Sequence, residues 1–431
     1  MCFSIDYILY YYFILLFYIM LNRKKLFSLV ILFIILVIAI KTINSSPEEF
    51  CKKLAEDTQI SLRYGNENTP QKEGNIVMLV NDKKLFEKVA SNGEVGLADS
   101  YIDGDWDSEY LEETISYLLS NRDFFENKIK KQSLNFIFME LKTMIKNIFD
   151  NNTIQSSKSN ISHHYDIGND LYEKMLGKHM QYTCAYFNQP NMTLDEAQYA
   201  KMELIAKKLD LKPNMKVLDI GCGFGSMAQH LAINYDVYVI GVTLSKEQIS
   251  YYEEHFSHPK VTIMLKDYRH VTGNFDRVYS VGCLEHVGRN NYKKYYDKCY
   301  ELLNPDGIML IHTIGTNASR KWSHNSFLNK YIFPGAEPPH IENLTQPFID
   351  QWHLEDWQNM GLSYAKTLRE WHKNIGDWSG LEHYDEQFRR MWDFYLLGCA
   401  ASFQIRNTVL WQMVYTKRNS NRPDDCHHIR N

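Results

Sequence analysis

Short runs of apolar residues alternate with longer amphipathic stretches through the second half of the chain. The runs are mostly aliphatic and lie at residues 217–220, 238–242, 261–265, 275–281 and 307–314. Runs of this length that end at turn residues predict buried strands, and the stretches between them predict helices. This alternation predicts an α/β fold with a doubly wound parallel sheet, whose ligands bind beyond the carboxyl ends of the strands.

The pattern changes towards the end of the chain. Residues 320–374 are rich in aromatic side chains and too long for a simple connection, so we expect them to form a cap over the substrate. A helix at 386–406 and a final strand at 408–415 follow. Upstream of the sheet, residues 161–190 mix polar and aromatic side chains without a clean period, which predicts a lid or binding loop rather than core.

The chain before residue 161 differs in pattern from the rest. Residues 46–122 predict a small α/β domain, with a strand at 76–80 and a helix at 83–91. Residues 123–160 are rich in lysine, asparagine and serine and predict a linker, with an amphipathic centre at 134–148. The remaining domain boundaries that we predict are a catalytic domain at 161–420 and a polar tail at 421–431.

Composition narrows the class of protein. The chain has 431 residues, of which 45% are hydrophobic and 14% aromatic, enough for a sizeable core. Its formal net charge of −5 argues against nucleic acid as a partner. The eight cysteines are scattered without a C-x-x-C pair, so we predict no metal site, no disulfide framework and a reducing compartment.

The candidate chemistry starts at the stretch KVLDIGCGFGSMAQ, residues 216–229. Gly221, Gly223 and Gly225 follow a predicted strand and allow backbone N–H groups and a helix N-terminus to approach a ligand. The spacing G-x-G-x-G departs from the dinucleotide fingerprint. Asp219 precedes the loop, where its carboxylate can receive a cationic group. These features favour S-adenosylmethionine (SAM) as the cofactor, with NAD as the alternative.

The first 45 residues contain two apolar runs, 8–21 and 26–40, separated by the basic sequence NRKK. Each run is shorter than the ~20 residues that a membrane-spanning helix needs. A signal sequence, a single anchor and a membrane hairpin each fit part of this pattern. We expect some membrane anchoring with the enzyme at the cytoplasmic face, where SAM is available, and leave the topology open, including whether the segment is transmembrane.

Motifs spread along residues 47–417 resemble those of the cyclopropane-fatty-acyl-phospholipid synthases, relatives of the mycolic acid cyclopropane synthases. The motifs are HYDIGNDLYEKML, MQYTCAYF, VLDIGCGFGSMA, GVTLSKEQ, SVGCLEHVG, LLNPDGIMLIHTIG, NKYIFPGAEPP, LEDWQNMGLSYAKTL and NTVLWQMVY. The segment GLADSYIDGDW resembles the N-terminal domain of the longer bacterial synthases, which is implicated in lipid engagement. Residues before 45 lie outside the resemblance.

The resemblance implies a Rossmann-like SAM-dependent methyltransferase that acts on unsaturated phospholipids in a membrane, and a homodimer is one assembly we consider. The SAM methyl is transferred to a cis double bond of an acyl chain, and loss of a proton closes a cyclopropane ring. The base implied is a bound bicarbonate, held by the backbone N–H groups of Cys184 and Ile314 and the side chains of Glu285, His312 and Tyr364. The SAM contacts implied are Tyr182, Thr183, Asp219, Gly221, Gly223, Thr243, Gln248 and Asp267.

Two other functions stay open on the sequence alone. The same fold could methylate an alkene without ring closure, or an amine. The chain could also be a membrane-anchored lipid-binding protein without activity. The complete set of Cys184, Glu285, His312 and Tyr364 favours cyclisation, because an amine acceptor needs no base for a carbocation. Cys184 is not expected to be a nucleophile, and His286 is expected to pack rather than to react.

Overall fold

The computed structural model describes residues 46–65, 75–130, 167–317, 326–345 and 350–420. The predictions made for residues 1–45, for most of the linker and for the tail lie outside these ranges. Within them, we find no helix with both the length and the apolar character needed to cross a bilayer.

The N-terminal part folds around a three-stranded sheet in the order β1-β2-β3. Its strands are β1 (Ile60–Tyr64), β2 (Ile76–Val80) and β3 (Trp106–Asp107). Its helices are α1 (Pro47–Glu56), α2 (Lys84–Ile102), α3 (Leu111–Ser120) and α4 (Arg122–Lys130). Helix α2 extends beyond the predicted residues because a second helical stretch follows a kink at Gly93, whose φ of 54° lies outside the helical region.

A seven-stranded sheet forms the centre of the catalytic part. Its strands are β4 (Lys216–Ile220), β5 (Tyr238–Thr243), β6 (Val261–Leu265), β7 (Phe275–Val281), β8 (Leu303–Gly315), β9 (Trp352–Asn359) and β10 (Val409–Lys417). They lie in the order β6-β5-β4-β7-β8-β10-β9. Its helices are α5 (Asn169–Leu176), α6 (Leu194–Lys208), α7 (Ser226–Tyr235), α8 (Lys246–His255), α9 (Tyr292–Leu302), α10 (Ile341–Thr345), α11 (Gly361–Ile375) and α12 (Glu386–Gln404).

The sheet is mixed rather than wholly parallel. The pairings from β6 to β8 are parallel, as the alternation of strands and helices predicts. Strand β10 runs antiparallel to β8 and to β9, between which it is inserted. The prediction of a parallel sheet is therefore wrong for its last two strands.

Two segments also depart from their predicted roles. Residues 320–374 do not form only a cap, because they contain strand β9 and helix α11. Strand β9 has the sequence WHLEDWQN, with mostly exposed or half-buried side chains, since it lies at the sheet edge. Within 161–190, helix α5 belongs to the core, because its apolar face is buried. The fully buried residues of that face are Leu171, Tyr172, Met175 and Leu176.

The small N-terminal part packs against α12 and the segment after β8. The Arg390 guanidinium donates to the Trp106 carbonyl at 2.8 Å and to Asp107 Oδ2 at 3.0 Å. Asp99 on α2 accepts hydrogen bonds at 2.8 Å from Lys330 Nζ and Tyr331 Oη. These contacts join the N-terminal part to the segment that borders the strand ends.

Candidate active site

The glycine loop lies between β4 and α7, at the carboxyl end of the sheet. The N–H groups of Gly221 and Cys222 donate to the Val242 carbonyl at 2.9 and 3.1 Å, which fixes the start of the loop beside β5. Gly225 has φ 80°, and a Cβ there would collide with the Tyr252 ring, so this glycine lets α7 pack closely. A Cβ on Gly223 would meet no described atom within 4 Å. Gly223 therefore leaves room for a ligand against its backbone.

Asp219 lies buried in β4, next to the loop. It pairs in register with Tyr279 of β7, whose hydroxyl donates to Asp219 Oδ2 at 2.7 Å. Burial raises the pKa of the Asp219 carboxyl to about 7, and the Tyr279 hydrogen bond opposes this only in part. A cationic ligand beside this carboxylate would favour its ionised form.

The ends of β5 and β6 carry three more of the predicted SAM contacts. Thr243 Oγ1 donates to Gln248 Oε1 at 2.6 Å. Asp267 accepts three hydrogen bonds from Arg269, from its backbone N–H at 2.9 Å and its guanidinium at 2.8 and 2.7 Å. Burial raises the Asp267 pKa, but the hydrogen bonds from Arg269 outweigh it, so the pKa lies below its ordinary value. This carboxylate is ionised and held in place by its neighbour.

Tyr182 and Thr183 lie in an extended segment before α6. The Tyr182 and Tyr395 hydroxyls share a hydrogen bond of 2.8 Å, and the Tyr182 ring contacts Trp371 with centroids 5.3 Å apart. Thr183 Oγ1 accepts a hydrogen bond from Lys201 at 2.8 Å. A Cβ on Gly282 would lie 3.1 Å from Thr183 Cγ2, so this segment reaches the loop after β7.

Glu285 lies in a 3₁₀ turn, Leu284–His286, which follows β7. Its Oε1 accepts the backbone N–H of Ile314 at 2.6 Å, and its carbonyl accepts the N–H of Glu337 at 2.8 Å. Its Oε2 is buried and has no hydrogen-bond partner in the described part of the chain. Burial raises the pKa of the carboxyl to about 7, against the lowering effect of the backbone N–H groups.

His312 lies in β8, in register with Gln412 of β10. The Gln412 amide nitrogen lies 3.2 Å from His312 Nδ1, and donation by this amide would place the proton of the neutral ring on Nε2. Within the described ranges this Nε2 is buried and lacks a partner. Burial and the nearby Lys201 and Lys208 hold the pKa of His312 well below its ordinary value, so the ring stays neutral.

Cys184 directly follows the segment that holds Tyr182 and Thr183, and Tyr364 lies in α11. Cys184 is fully buried, its thiol donates to the Ala185 carbonyl at 3.1 Å, and burial raises its pKa above the ordinary value. Tyr364 stacks on Phe403 with centroids 4.6 Å apart. Both Cys184 Sγ and the Tyr364 N–H point at the Met360 carbonyl, at 3.9 and 3.3 Å. A thiol in this state is a poor nucleophile.

The structure therefore brings Glu285, Ile314 and His312 together at the adjacent ends of β7 and β8. The Ile314 N–H donates to Glu285, and the Gly282 N–H donates to the His312 carbonyl at 2.9 Å. His286 packs its ring edge on Phe333, and burial lowers its pKa to about 4. Among the described residues, no cluster of His, Cys, Asp and Glu side chains is arranged to hold a metal ion.

Sequence reasoning missed the residues that support the predicted side chains. They are Lys201, Gln198, Arg269, Tyr279 and Gln412. Arg269 could have been found from its position two residues after Asp267. Tyr279 and Gln412 could not, because each becomes a partner only through the strand register.

Three comparisons with known proteins agree with this geometry. A family model described as mycolic acid cyclopropane synthetase matches residues 152–413. The chain is 39% identical over 345 residues to the cyclopropane-fatty-acyl-phospholipid synthase of Escherichia coli, covering 78% of this chain and 87% of that protein.

Two solved structures extend the comparison. Mycolic acid cyclopropane synthase CmaA1, complexed with SAH and CTAB, matches with a TM-score of 0.55 and 31% identity over 61% of this chain and 98% of that chain. Coclaurine N-methyltransferase, bound to N-methylheliamine and SAH, matches with a TM-score of 0.58 over 75% of this chain and 99% of that chain. At 20% identity this second likeness concerns the fold alone.

The family resemblance predicted from the motifs is thus confirmed, and so is the α/β SAM-methyltransferase fold. The glycine loop after β4, the buried Asp219 and the strand ends that carry Glu285 and His312 are the parts of this fold that the matching segment contains. The chain belongs to the mycolic acid cyclopropane synthetase family of SAM-dependent methyltransferases.

Proposed function

We propose that the protein is a cyclopropane-fatty-acyl-phospholipid synthase, which transfers the methylene of a SAM methyl group to a cis double bond of a phospholipid acyl chain. One observation carries this proposal most strongly. A buried acceptor, Glu285 Oε2, and a buried ring nitrogen, His312 Nε2, have no partner in the described ranges and belong to the ends of the adjacent strands β7 and β8. Buried polar atoms without partners are rare and costly, and they are typical of sites that receive a polar ligand.

The aromatic side chains around Tyr182 suit the acceptor chemistry. An alkene is a weak nucleophile, so the reaction depends on alignment with the SAM methyl in a site without water. Methyl transfer leaves a carbocation, which aromatic faces stabilise without reacting with it. Tyr182 contacts Trp371 and Phe333, and Phe333 in turn contacts Tyr395, with centroids 5.3, 6.4 and 5.8 Å apart. Water would quench the cation, and these rings exclude it.

We propose that the residues at the ends of β7 and β8 hold a bound bicarbonate. His312 Nε2 can donate to an anion oxygen, and Glu285 Oε2 can accept the hydroxyl proton and so fix the orientation of the anion. The Ile314 N–H, which was predicted to donate to the bicarbonate, donates to Glu285 Oε1 in this structure and holds the carboxylate in place. Bicarbonate bound here would supply the base that the ring closure needs. Cys184 and Tyr364 are proposed to complete the site through their backbone and hydroxyl groups.

The proposed substrate also implies a membrane. We propose that the N-terminal apolar segment and the small N-terminal domain bring the enzyme to the cytoplasmic face of a phospholipid bilayer. The two apolar runs before residue 45 and the need for SAM support this proposal. A tag at residue 46 that is cleaved by protease added to intact cells would contradict it.

Lipid mass spectrometry tests the reaction. Purified protein is incubated with SAM and unsaturated phospholipid vesicles, and the products are analysed before and after mild hydrogenation. Ring closure and methylation of a retained alkene both add one CH₂, but only the alkene takes up hydrogen. We expect a product that resists hydrogenation. Consumption of SAM with methyl transfer to nitrogen, and unchanged acyl chains, would overturn the proposal.

A further inference from the structure

Two fully buried side chains of α6 hold the segment at residues 181–183. Gln198 Nε2 donates to the backbone carbonyls of Gln181 and Thr183 at 3.2 and 2.9 Å. Lys201 Nζ donates to Gln181 Oε1 at 2.6 Å and to Thr183 Oγ1 at 2.8 Å. The two residues are three apart and therefore lie on one face of the helix. Four hydrogen bonds thus run from this face to Gln181 and Thr183, the two residues on either side of Tyr182.

The contacts continue into the glycine loop. Gln181 Nε2 donates to Ser226 Oγ at 2.6 Å, and Ser226 is the first residue of α7, directly after Gly225. The side chain of Gln181 therefore links helix α6 to the glycine loop. Any shift of α6 relative to the loop would move Tyr182 and Thr183.

Lys201 differs from the other fully buried lysine of the same helix. Lys208 lies 2.9 Å from Asp356 Oδ2 and donates to Gln358 Oε1 at 2.6 Å, so its charge has a counter-ion. Lys201 bonds only neutral oxygens and no carboxylate in the part of the chain that the structure describes. Burial lowers the pKa of its ammonium to about 7. A buried amine without a counter-charge is unfavourable for stability, and a methionine would fill a similar volume without that cost.

We propose that Lys201 and Gln198 are positioning residues, which fix the segment at 181–183 against the glycine loop so that SAM binds in a productive position. The inference rests on the proposed SAM contacts of Tyr182 and Thr183. Neither Lys201 nor Gln198 needs to contact the cofactor. Both residues act through the segment at 181–183. This segment is followed directly by Cys184, and its Thr183 side chain packs against Gly282, which precedes Glu285 by three residues.

The matched pair Lys201→Met and Lys208→Met tests the proposal, with SAM affinity measured by calorimetry and thermal stability by melting. We expect Lys201→Met to weaken SAM binding by roughly tenfold or more, because the segment loses two hydrogen bonds. Its melting temperature should stay near that of the wild type, since a costly buried amine is removed. Lys208→Met should lower the melting temperature, because it leaves Asp356 without its cation, and change SAM affinity less than twofold.

Gln198→Leu gives a second measurement, which decides the question if Lys201→Met does not fold. It removes the two hydrogen bonds to the carbonyls at 181 and 183 and is expected to weaken SAM binding in the same direction. Lys201→Arg, which keeps a donor, should restore part of the affinity. Unchanged SAM affinity in both Lys201→Met and Gln198→Leu would overturn the proposal. SAM binding is measured without lipid. The measured SAM affinities can therefore be interpreted even if the proposed lipid reaction is not observed.

Discussion

The two halves of the candidate site are built differently. At the ends of β4, β5 and β6, the side chains predicted to contact SAM are satisfied by their own neighbours, as in Asp267 with Arg269 and Asp219 with Tyr279. At the ends of β7 and β8, Glu285 Oε2 and His312 Nε2 are buried without partners among the described residues. We call the ends of β4, β5 and β6 the cofactor half of the site and the ends of β7 and β8 the acceptor half. The hydrogen bonds of the cofactor half are already formed within the protein. The acceptor half instead contains buried polar atoms that lack hydrogen-bond partners among the described residues.

The two halves should therefore differ in their contributions to the stability of the protein. A buried polar group without a partner costs about 1–3 kcal/mol, so the acceptor half lowers the stability of the protein. The hydrogen-bonded Asp267 does not carry this cost, whereas burial of Asp219 and Lys201 has a desolvation cost of its own. Function in the acceptor half therefore opposes stability, and substitutions in the two halves should differ in their effects on activity, SAM binding and unfolding.

The largest expected effect is on turnover in the acceptor half. Glu285→Gln keeps the shape of the side chain but replaces an acceptor oxygen with a donor, so it can no longer orient a bound base. We expect product formation to fall by about 10²- to 10⁴-fold, the usual contribution of a general base. SAM affinity, measured by calorimetry, should remain within about twofold of the wild type. Equal losses of turnover and SAM affinity would instead assign Glu285 to the cofactor half.

The second largest expected effect is the pH dependence of SAM affinity, which is set in the cofactor half. Because the pKa of Asp219 is about 7 without ligand, binding of cationic SAM should release its proton. SAM affinity should then be roughly tenfold weaker at pH 6 than at pH 8, since a pH one unit below the pKa leaves about a tenth of the group ionised. Calorimetry at both pH values measures this difference. An Asp219→Asn variant should bind SAM weakly at both pH values, and a wild type with the same affinity at both would refute the prediction.

The smallest effect is on stability and has opposite signs for Glu285 and Asp267. The Glu285 carboxyl has a pKa of about 7 when folded and an ordinary value of 4.5, so the folded state binds more protons between these values. Its contribution to the free energy of unfolding therefore falls as pH rises through this window. At pH 8, Glu285→Gln should be more stable than the wild type by about 1–3 kcal/mol, and at pH 4 the gain should vanish.

Asp267→Asn is the matched control for that stability measurement. The pKa of Asp267 is lowered, so its contribution is present at pH 8 and is lost as pH falls below its ordinary value of 3.8. At pH 8 this variant should be less stable than the wild type, because Arg269 loses a charged partner. Thermal melts at pH 4 and pH 8 measure both variants. A loss of stability in both at pH 8 would remove the distinction between the two halves.

The sequence predicted the parallel part of the fold well because those strands appear as short apolar runs, even at β6, whose side chains are only partly buried at the sheet edge. It did not reveal strand β9, whose half-exposed side chains at the sheet edge give the polar sequence WHLEDWQN. The apolar face of α5 could have been recognised, since Leu171, Tyr172, Met175 and Leu176 recur at helical spacing. The lid prediction for that region rested on its polar residues instead.

For the site, the positions of Asp219, Glu285 and His312 near strand ends could be predicted from the sequence. The roles assigned to them came from the family motifs and remain predictions. The side chains that form hydrogen bonds with these residues could not be predicted. Tyr279 reaches Asp219, and Gln412 reaches His312, only through cross-strand register. The contact between Gln412 and His312 was also missed because a parallel sheet was expected, whereas β10 runs antiparallel.

The insertion of β10 between β8 and β9 has a consequence for synthesis of the protein on the ribosome. Strand β10 is made after every other strand of this sheet, yet it supplies the Gln412 amide that lies 3.2 Å from His312 Nδ1. A nascent chain can therefore form the glycine loop and the parallel strands before the histidine has its neighbour. The hydrogen-bonding surroundings of His312 are therefore completed only when nearly the whole of this sheet has been synthesised.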